Sequence, residues 1–332
     1  MPSVPALRGK INARKFRNLL LHWFDGEKRD LPWRGERDPY RILVSEIMLQ
    51  QTRVAVVKER YKQFLRRFPT LTRLARAHEQ TVLAQWSGLG YYRRARALHA
   101  AAKQIVRRRG FPSTVDALRE LPGVGRYTAG AVASIAFGEP AAVVDGNVKR
   151  VLGRLAGRPL GDALCWQAAG KLLDRRRPGD FNQALMELGA LVCLPGKPMC
   201  GRCPAAALCA FRGSERRPKP LSRQKAILNY ELFRKNGSVF LCQRECSSLL
   251  MPGMWELPSV NTTELMSGAI LTLRHSITTT DYVVQVFAGN GRPRKTGRWV
   301  VVRASEKLPL TGLARKILRS LAAGLIIDNA GP

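Results

Sequence analysis

The stretch VSEIMLQ sets Glu46 among Val44, Ile47, Met48 and Leu49. A carboxyl in apolar surroundings has a raised pKa and keeps its proton at neutral pH, so Glu46 is a candidate general acid. The plainer alternative is a solvated glutamate on a helix face. Further on, VVDGNVKRV puts Asp145 just before a helical pattern. The positive end of a helix suits a carboxylate that faces a developing cation. The same position suits a simple N-cap, and the two roles are compatible. A third group is CLPGKPMCGRCPAAALC, where Cys193, Cys200, Cys203 and Cys209 share one loop with three prolines. Only one pair is as tight as C-x-x-C. Four thiols on a single compact loop suit a cubane iron–sulfur cluster, which takes cysteine at every corner. Zinc, usually held by two short C-x-x-C knuckles, stays open as the alternative. Cys165, Cys242 and Cys246 lack this clustering and read as packing residues.

Between the two acids lies LPGVGRYTAG (121–130), flanked by helical patterns. Gly123 and Gly125 allow a tight turn around Val124, and a helix starts at once with Arg126. Open amides and the helix dipole form an anion site there, of the kind that grips a nucleic-acid phosphate without reading sequence. An ordinary helix–helix turn is the competing reading.

Composition agrees with a polyanionic partner. Lys plus Arg number 56 against 24 acids, a formal net charge of +32, and so large an excess repels itself in a compact state. Hydrophobic residues make up 45%, enough for a packed core without disulfides. The first residues, MPSVPALRGK, show no apolar leader, and no stretch of about 18 apolar residues suggests a membrane span. Odd-numbered, clustered cysteines argue against a secreted disulfide framework. A cytoplasmic, nucleoid-associated monomer with no membrane partner is expected.

The elements that must hold these groups read as helix over 12–211. Asn12 is a plausible N-cap, with Phe16, Leu19, Leu20 and Trp23 on one face; Asp38 precedes Pro39 at a first helical position. A long helix from Tyr91 runs to RRRG, with Gly110 as its stop. Further helices fit 54–67, 79–87, 114–120, 127–137, 146–155 and 181–192. Residues 212–225 are basic and proline-bearing and read as a linker. From 226 the pattern turns to strands. Apolar alternation on both sides of Asn236-Gly237 predicts a hairpin; TDYVVQVFAG and RWVVVRA are further strands, and LTGLARKILRSLAAGL a closing helix. An all-α domain (1–211) therefore precedes a smaller α+β domain (226–332), both near the usual domain sizes.

Hairpin, Asp145 and cysteine loop, in this order, resemble the endonuclease III superfamily of helix–hairpin–helix DNA glycosylases. LPWR (31–34), VSEIMLQQTRV (44–54), GLGYYRRAR (88–96), VDGNVKRV (144–151) and FNQALMELGA (181–190) resemble its adenine DNA glycosylase (MutY) family. The resemblance covers residues 12–212 and continues more weakly beyond. It implies a 4Fe–4S cluster on the cysteine loop and double-stranded DNA with A opposite 8-oxoguanine or G as partner. It also implies that Glu46 protonates the leaving adenine, that Asp145 stabilises the sugar cation, and that Tyr127 and Asn147 orient them. Trp33, Arg34 and Gln183 would line the adenine pocket, and Gln51 and Tyr91 would wedge into the duplex near the 8-oxoguanine, with Leu49 close by. Bifunctional members of the superfamily carry lysine where this chain has Tyr127. A phenol forms no Schiff base, so the resemblance implies a monofunctional enzyme.

The MPGMWELP stretch (251–258) resembles the Nudix-like domain that reads 8-oxoguanine in this family. Nudix hydrolysis needs a dense carboxylate helix for divalent metal. After residue 225 the acids are Glu231, Glu245, Glu256, Glu264, Asp281, Glu306 and Asp328, never adjacent. The family's recognition loop carries Phe-Ser-His after Arg-His; here Arg274-His275-Ser276 leads into Ile277-Thr278-Thr279, without the aromatic or the second histidine. Two other readings compete: an endonuclease III-like glycosylase/lyase for oxidised pyrimidines, and a non-catalytic redox-sensing DNA-binding protein. Tyr127 and the second domain count against the first, and the Glu46/Asp145 pair against the second.

Overall fold

The structure, a computed structural model, describes residues 11–211, 223–245, 247–248, 251–261, 268–277 and 279–324. Most of the expected linker, and Thr278, lie outside the described residues. Helices α1 (Ala13–Glu27), α2 (Pro39–Leu49), α3 (Val54–Arg67), α4 (Leu71–Ala75), α5 (Glu79–Gln85) and α6 (Arg93–Arg107) lead to α7 (Val115–Arg119) and α8 (Arg126–Ala136). Then come α9 (Gly146–Leu155), α10 (Asp162–Leu172) and α11 (Pro178–Leu191). The local signals explain several starts. Asn12 accepts from Lys15 N at 3.0 Å, and Asp38 accepts from Tyr40 N at 2.8 Å beside Pro39. Each satisfies an amide that the first turn leaves without a partner.

Two helices were not anticipated, α4 and α10. In α10 the buried residues are Cys165, Ala168, Ala169 and Leu172, a helical spacing written in small side chains that carry little hydrophobic signal. The expected stop at Gly110 also moves. The left-handed residue after α6 is Arg109, with φ +55°.

The chain forms two compact units, one holding Met1–Arg76 and Ala97–Lys219, the other Ala77–Arg96 and Pro220–Pro332. In the first, α1, α9, α10 and α11 enclose a core that includes Phe16, Leu20, Phe24, Val148, Leu152, Phe181 and Leu188. Helix α2 packs on α8 and α3 and buries Ile42, Leu43, Ile47 and Met48 almost completely. Among the described residues no helix is long and apolar enough to cross a membrane.

The second unit contains strands β1 (Gln224–Leu232), β2 (Arg234–Lys235), β3 (Ser238–Gln243), β4 (Trp255–Glu256), β5 (Leu271–Ile277), β6 (Thr280–Ala288) and β7 (Arg298–Val301), then α12 (Gly312–Ala322). Asn236 and Gly237 take φ of +48° and +69°, as a two-residue hairpin turn requires. The hairpin is nevertheless short, because only Arg234 and Lys235 pair back with β3. β1 leaves it and pairs in parallel with β6, while β3 takes β4 and β7. Alternation records which face is buried and says nothing about which strand lies alongside. A core of Tyr230, Leu232, Val239, Leu241, Val284, Val286 and Ile317 joins sheets and helix. Arg274–Ile277, expected in a recognition loop, belong to β5 and pair with Thr280–Val283 of β6. Residues 77–96 join this unit through long-range bonds such as Tyr92 Oη to Leu310 O at 3.2 Å and Arg96 Nη2 to Pro252 O at 2.7 Å. No local pattern announces such bonds.

Candidate active site

Loop 31–34, α2, α8, α9 and α11 converge on a cavity of about 250 Å³. Eight of the expected residues line it: Trp33, Arg34, Glu46, Leu49, Tyr127, Asp145, Asn147 and Gln183. Glu46 is 5% exposed, and its Oε2 has no hydrogen-bond partner. Burial pushes its pKa up to about 7; the Tyr127 hydroxyl and the Arg34 cation pull against that, and the Asp145 charge adds to it. Tyr127 is raised well above the ordinary phenol range by burial and by the charges of Glu46 and Asp145. It is therefore a neutral donor. Its hydroxyl lies close enough to favour the Glu46 anion, but its hydrogen bond runs to Met186 Sδ at 3.2 Å.

Asp145 caps α9, as its position implied. Its Oδ1 accepts from Val148 N at 2.7 Å and its Oδ2 from Asn147 Nδ2 at 3.1 Å. Asn147 Oδ1 in turn accepts from Arg150 Nη2 at 2.8 Å. Arg150 also donates to Gly189 O at 2.7 Å and, through Nε, to Cys193 O at 2.8 Å. A continuous chain of bonds thus ties the acid to the start of the cysteine loop. It needs a close approach of α9 and α11: a Cβ on Gly189 would stand 2.6 Å from Asn147 Cβ.

Arg29, Met186 and Glu187 are cavity residues that the sequence reading missed. Glu187 is 3% exposed. Burial works to raise its pKa, but hydrogen bonds from Arg29 and the charge of Arg34 outweigh this and lower it. Arg29 grips it through Nε at 2.7 Å and Nη2 at 2.8 Å. Arg34 donates to it at 3.0 Å and also bonds Gln183 Oε1. Burial lowers the Arg34 pKa, offset by Glu187. One cavity therefore holds a carboxyl whose proton burial retains, Glu46, and a second, Glu187, that its two arginines keep ionised. A signal for the missed pair existed: Met186 and Glu187 lie three and four residues after Gln183, on one helix face.

Residues 44–160 match the family described as HhH-GPD superfamily base excision DNA repair protein. The chain is 49% identical over 224 residues to human adenine DNA glycosylase, covering 62% of this chain and 41% of that protein. It is 40% identical over 319 residues to the Arabidopsis thaliana adenine DNA glycosylase, covering 80% and 50%. The chain thus spans half or less of these relatives' length. Among solved structures it resembles a thermostable thymine-DNA glycosylase, at 33% identity and TM-score 0.56, covering 60% of this chain and 95% of that one. The chain belongs to the HhH-GPD superfamily. The hairpin of this superfamily chain lies between α7 and α8. Gly123 has φ +73°, and a Cβ there would sit 2.5 Å from Ala97 Cβ. Gly125 caps α8 with no side-chain bond, so the first amides remain open to an anion. Arg126 stacks on Trp166 at 3.9 Å.

Neither expected wedge residue lines the cavity. Gln51 follows α2 with φ +54°, and its neighbour Gln50 bonds Thr128 Oγ1 at 3.1 Å. Tyr91 has φ +47° and is 49% exposed; it belongs to the second unit. Cys193, Cys200, Cys203 and Cys209 line a separate cavity of about 190 Å³ together with Arg154. Arg154 Nη1 donates to Cys193 Sγ at 3.2 Å. Burial, with the neighbouring thiols adding to it, pushes the Cys203 thiol up to about 11. Cys165 and Cys242 are buried, as packing residues would be; Cys246 lies outside the described residues.

Proposed function

We propose that the protein is a monofunctional DNA glycosylase that hydrolyses the N-glycosidic bond of adenine mispaired with 8-oxoguanine or guanine in duplex DNA, the opening step of base excision repair. The observation that carries this reading is the buried Glu46, with its raised pKa and unpartnered Oε2, in the same cavity as Asp145. The bond breaks through an oxocarbenium-like state, which needs a proton on the leaving base and a negative charge near the sugar. Glu46 supplies the proton. Asp145, held by Val148 N and Asn147, faces the sugar cation. Trp33, Arg34, Leu49 and Gln183 hold the base once it is flipped out of the stack. The hairpin amides bind a backbone phosphate.

Donor chemistry supports the 4Fe–4S cluster. None of the four loop thiols is in a disulfide, and all four line one cavity. In sequence only one pair is as tight as C-x-x-C, which suits a cluster better than two paired zinc knuckles. Cys193, Cys200, Cys203 and Cys209 would hold the cluster, which would cross-link the loop. Purified protein is expected to be brown, absorbing at about 400 nm; stoichiometric zinc without iron would discard this part of the reading. The 226–332 region is proposed as a Nudix-like domain that reads 8-oxoguanine.

Single-turnover excision tests the whole. Adenine release from A opposite 8-oxoguanine and A opposite G is expected, with none from thymine glycol or from T opposite G. Release from thymine glycol with strand cleavage would instead support the endonuclease III-type reading, and no release from any duplex the non-catalytic one. Tyr127→Lys addresses the missing strand cleavage. Burial at 127 favours a neutral, nucleophilic amine, whereas Glu46 and Asp145 favour the ammonium form. Borohydride is expected to trap some DNA on this variant and none on the parent. A folded variant that excises adenine but forms no adduct would show that position 127 does not face the sugar.

A further inference from the structure

The loop before α6 is wound unusually tightly. Gly88, Gly90 and Tyr91 have φ of +92°, +68° and +47°. Glycine tolerates this region at no steric cost, but a tyrosine does not. Something must hold Tyr91 there, and several local contacts do so. The buried Trp86 donates from Nε1 to Gly90 O at 3.1 Å. Arg94 Nη2 donates to Leu89 O at 2.9 Å and to Gly90 O at 3.2 Å. The Arg94 guanidinium lies over the Tyr91 ring, 5.3 Å from its centroid, and over Trp86 at 5.6 Å. The Tyr91 ring is nonetheless about half exposed.

A strained backbone that presents an aromatic ring to solvent is unstable unless its surroundings over-determine it, and such strain collects at sites of function. Here one planar cation takes part in the holding, at the backbone before Tyr91 and at its ring. It ties down two loop carbonyls and stacks on one face of the ring, leaving the rest of the ring for a base. We infer that Arg94 is the positioning residue for Tyr91: it holds the ring ready to enter a base step, so that the side chain's ordering is complete before DNA arrives. This rests on the proposed wedge role of Tyr91. Burial lowers the Arg94 pKa to about 10, so the cation persists at neutral pH. A lysine keeps the charge but has neither the flat face nor the fork that bonds two carbonyls while stacking.

The test uses the full chain and a duplex with 2-aminopurine beside an A·8-oxoguanine mispair. Its fluorescence rises when the stack opens. Arg94→Lys and Arg94→Met are both expected to lose most of that rise and to bind the mispaired duplex about 3- to 10-fold more weakly. Arg94→Lys is expected to keep the parental salt dependence. Tyr91→Ala sets the floor of the fluorescence signal. In the free protein, 3-fluorotyrosine NMR, with Tyr91 assigned through Tyr91→Phe, is expected to show the Tyr91 resonance moving toward the unfolded position in both Arg94 variants. If Arg94→Met folds poorly, Arg94→Lys and Tyr91→Leu still form a double-mutant cycle on the same contact. Full fluorescence in Arg94→Lys would overturn the inference, since charge alone would suffice. So would an intact signal in Arg94→Met with a shallower salt slope, which would make Arg94 a phosphate contact. A parental signal in Tyr91→Ala would instead remove the wedge reading itself.

Discussion

Glu46→Gln is expected to bind mispaired duplex like the parent and to excise adenine about 10²–10⁴-fold more slowly, the usual range for losing a general acid. The amide matches the carboxyl in shape but has no proton to give. The parental rate is expected to fall tenfold per unit above about 7, where Glu46 loses its proton. Stability carries the same signature. The folded pKa lies above the unfolded one, so the proton's contribution is full below the ordinary carboxyl range of about 4.5 and is lost as pH rises through about 7. The difference amounts to about 3 kcal/mol. The variant has no such loss. In denaturant melts it is expected to exceed the parent at about pH 8 and to converge on it near about pH 4.5. An unchanged excision rate would remove Glu46 as the acid; a pH-independent stability difference would remove its raised pKa.

Asp145→Asn is the second large effect. Asparagine still offers an oxygen to Val148 N, so α9 keeps its cap. The charge goes, and with it the acceptor for Asn147 Nδ2. Excision is expected to fall about 10²–10³-fold, the scale of losing one preorganised electrostatic partner, with the melting curve little moved. Because the Asp145 charge helps to raise the Glu46 pKa, the alkaline limb of the residual activity is expected to shift to lower pH. A variant with the parental rate would leave Asp145 as a cap and nothing more.

What the sequence determined by itself was local. Asn12, Asp38-Pro39 and Asp145 mark helix starts because a short polar side chain satisfies an amide two or three residues away. Asn236-Gly237 marks a turn because both positions need positive φ. The cysteine loop and the glycine hairpin are legible because each does its work within a single short stretch. The apolar neighbours of Glu46 foretold its burial. Tertiary structure decided what lies between such stretches. It set Glu187 against Arg29 and Arg34 and joined Asp145 to the cysteine loop through Asn147 and Arg150. It moved β1 from its expected hairpin to a parallel place beside β6 and gathered residues 77–96 with the second unit. None of this has a local signature. A buried carboxylate's partner, or a strand's neighbour, is chosen by the packing of distant segments, and hydrophobic periodicity reports only that a face is buried, never what covers it.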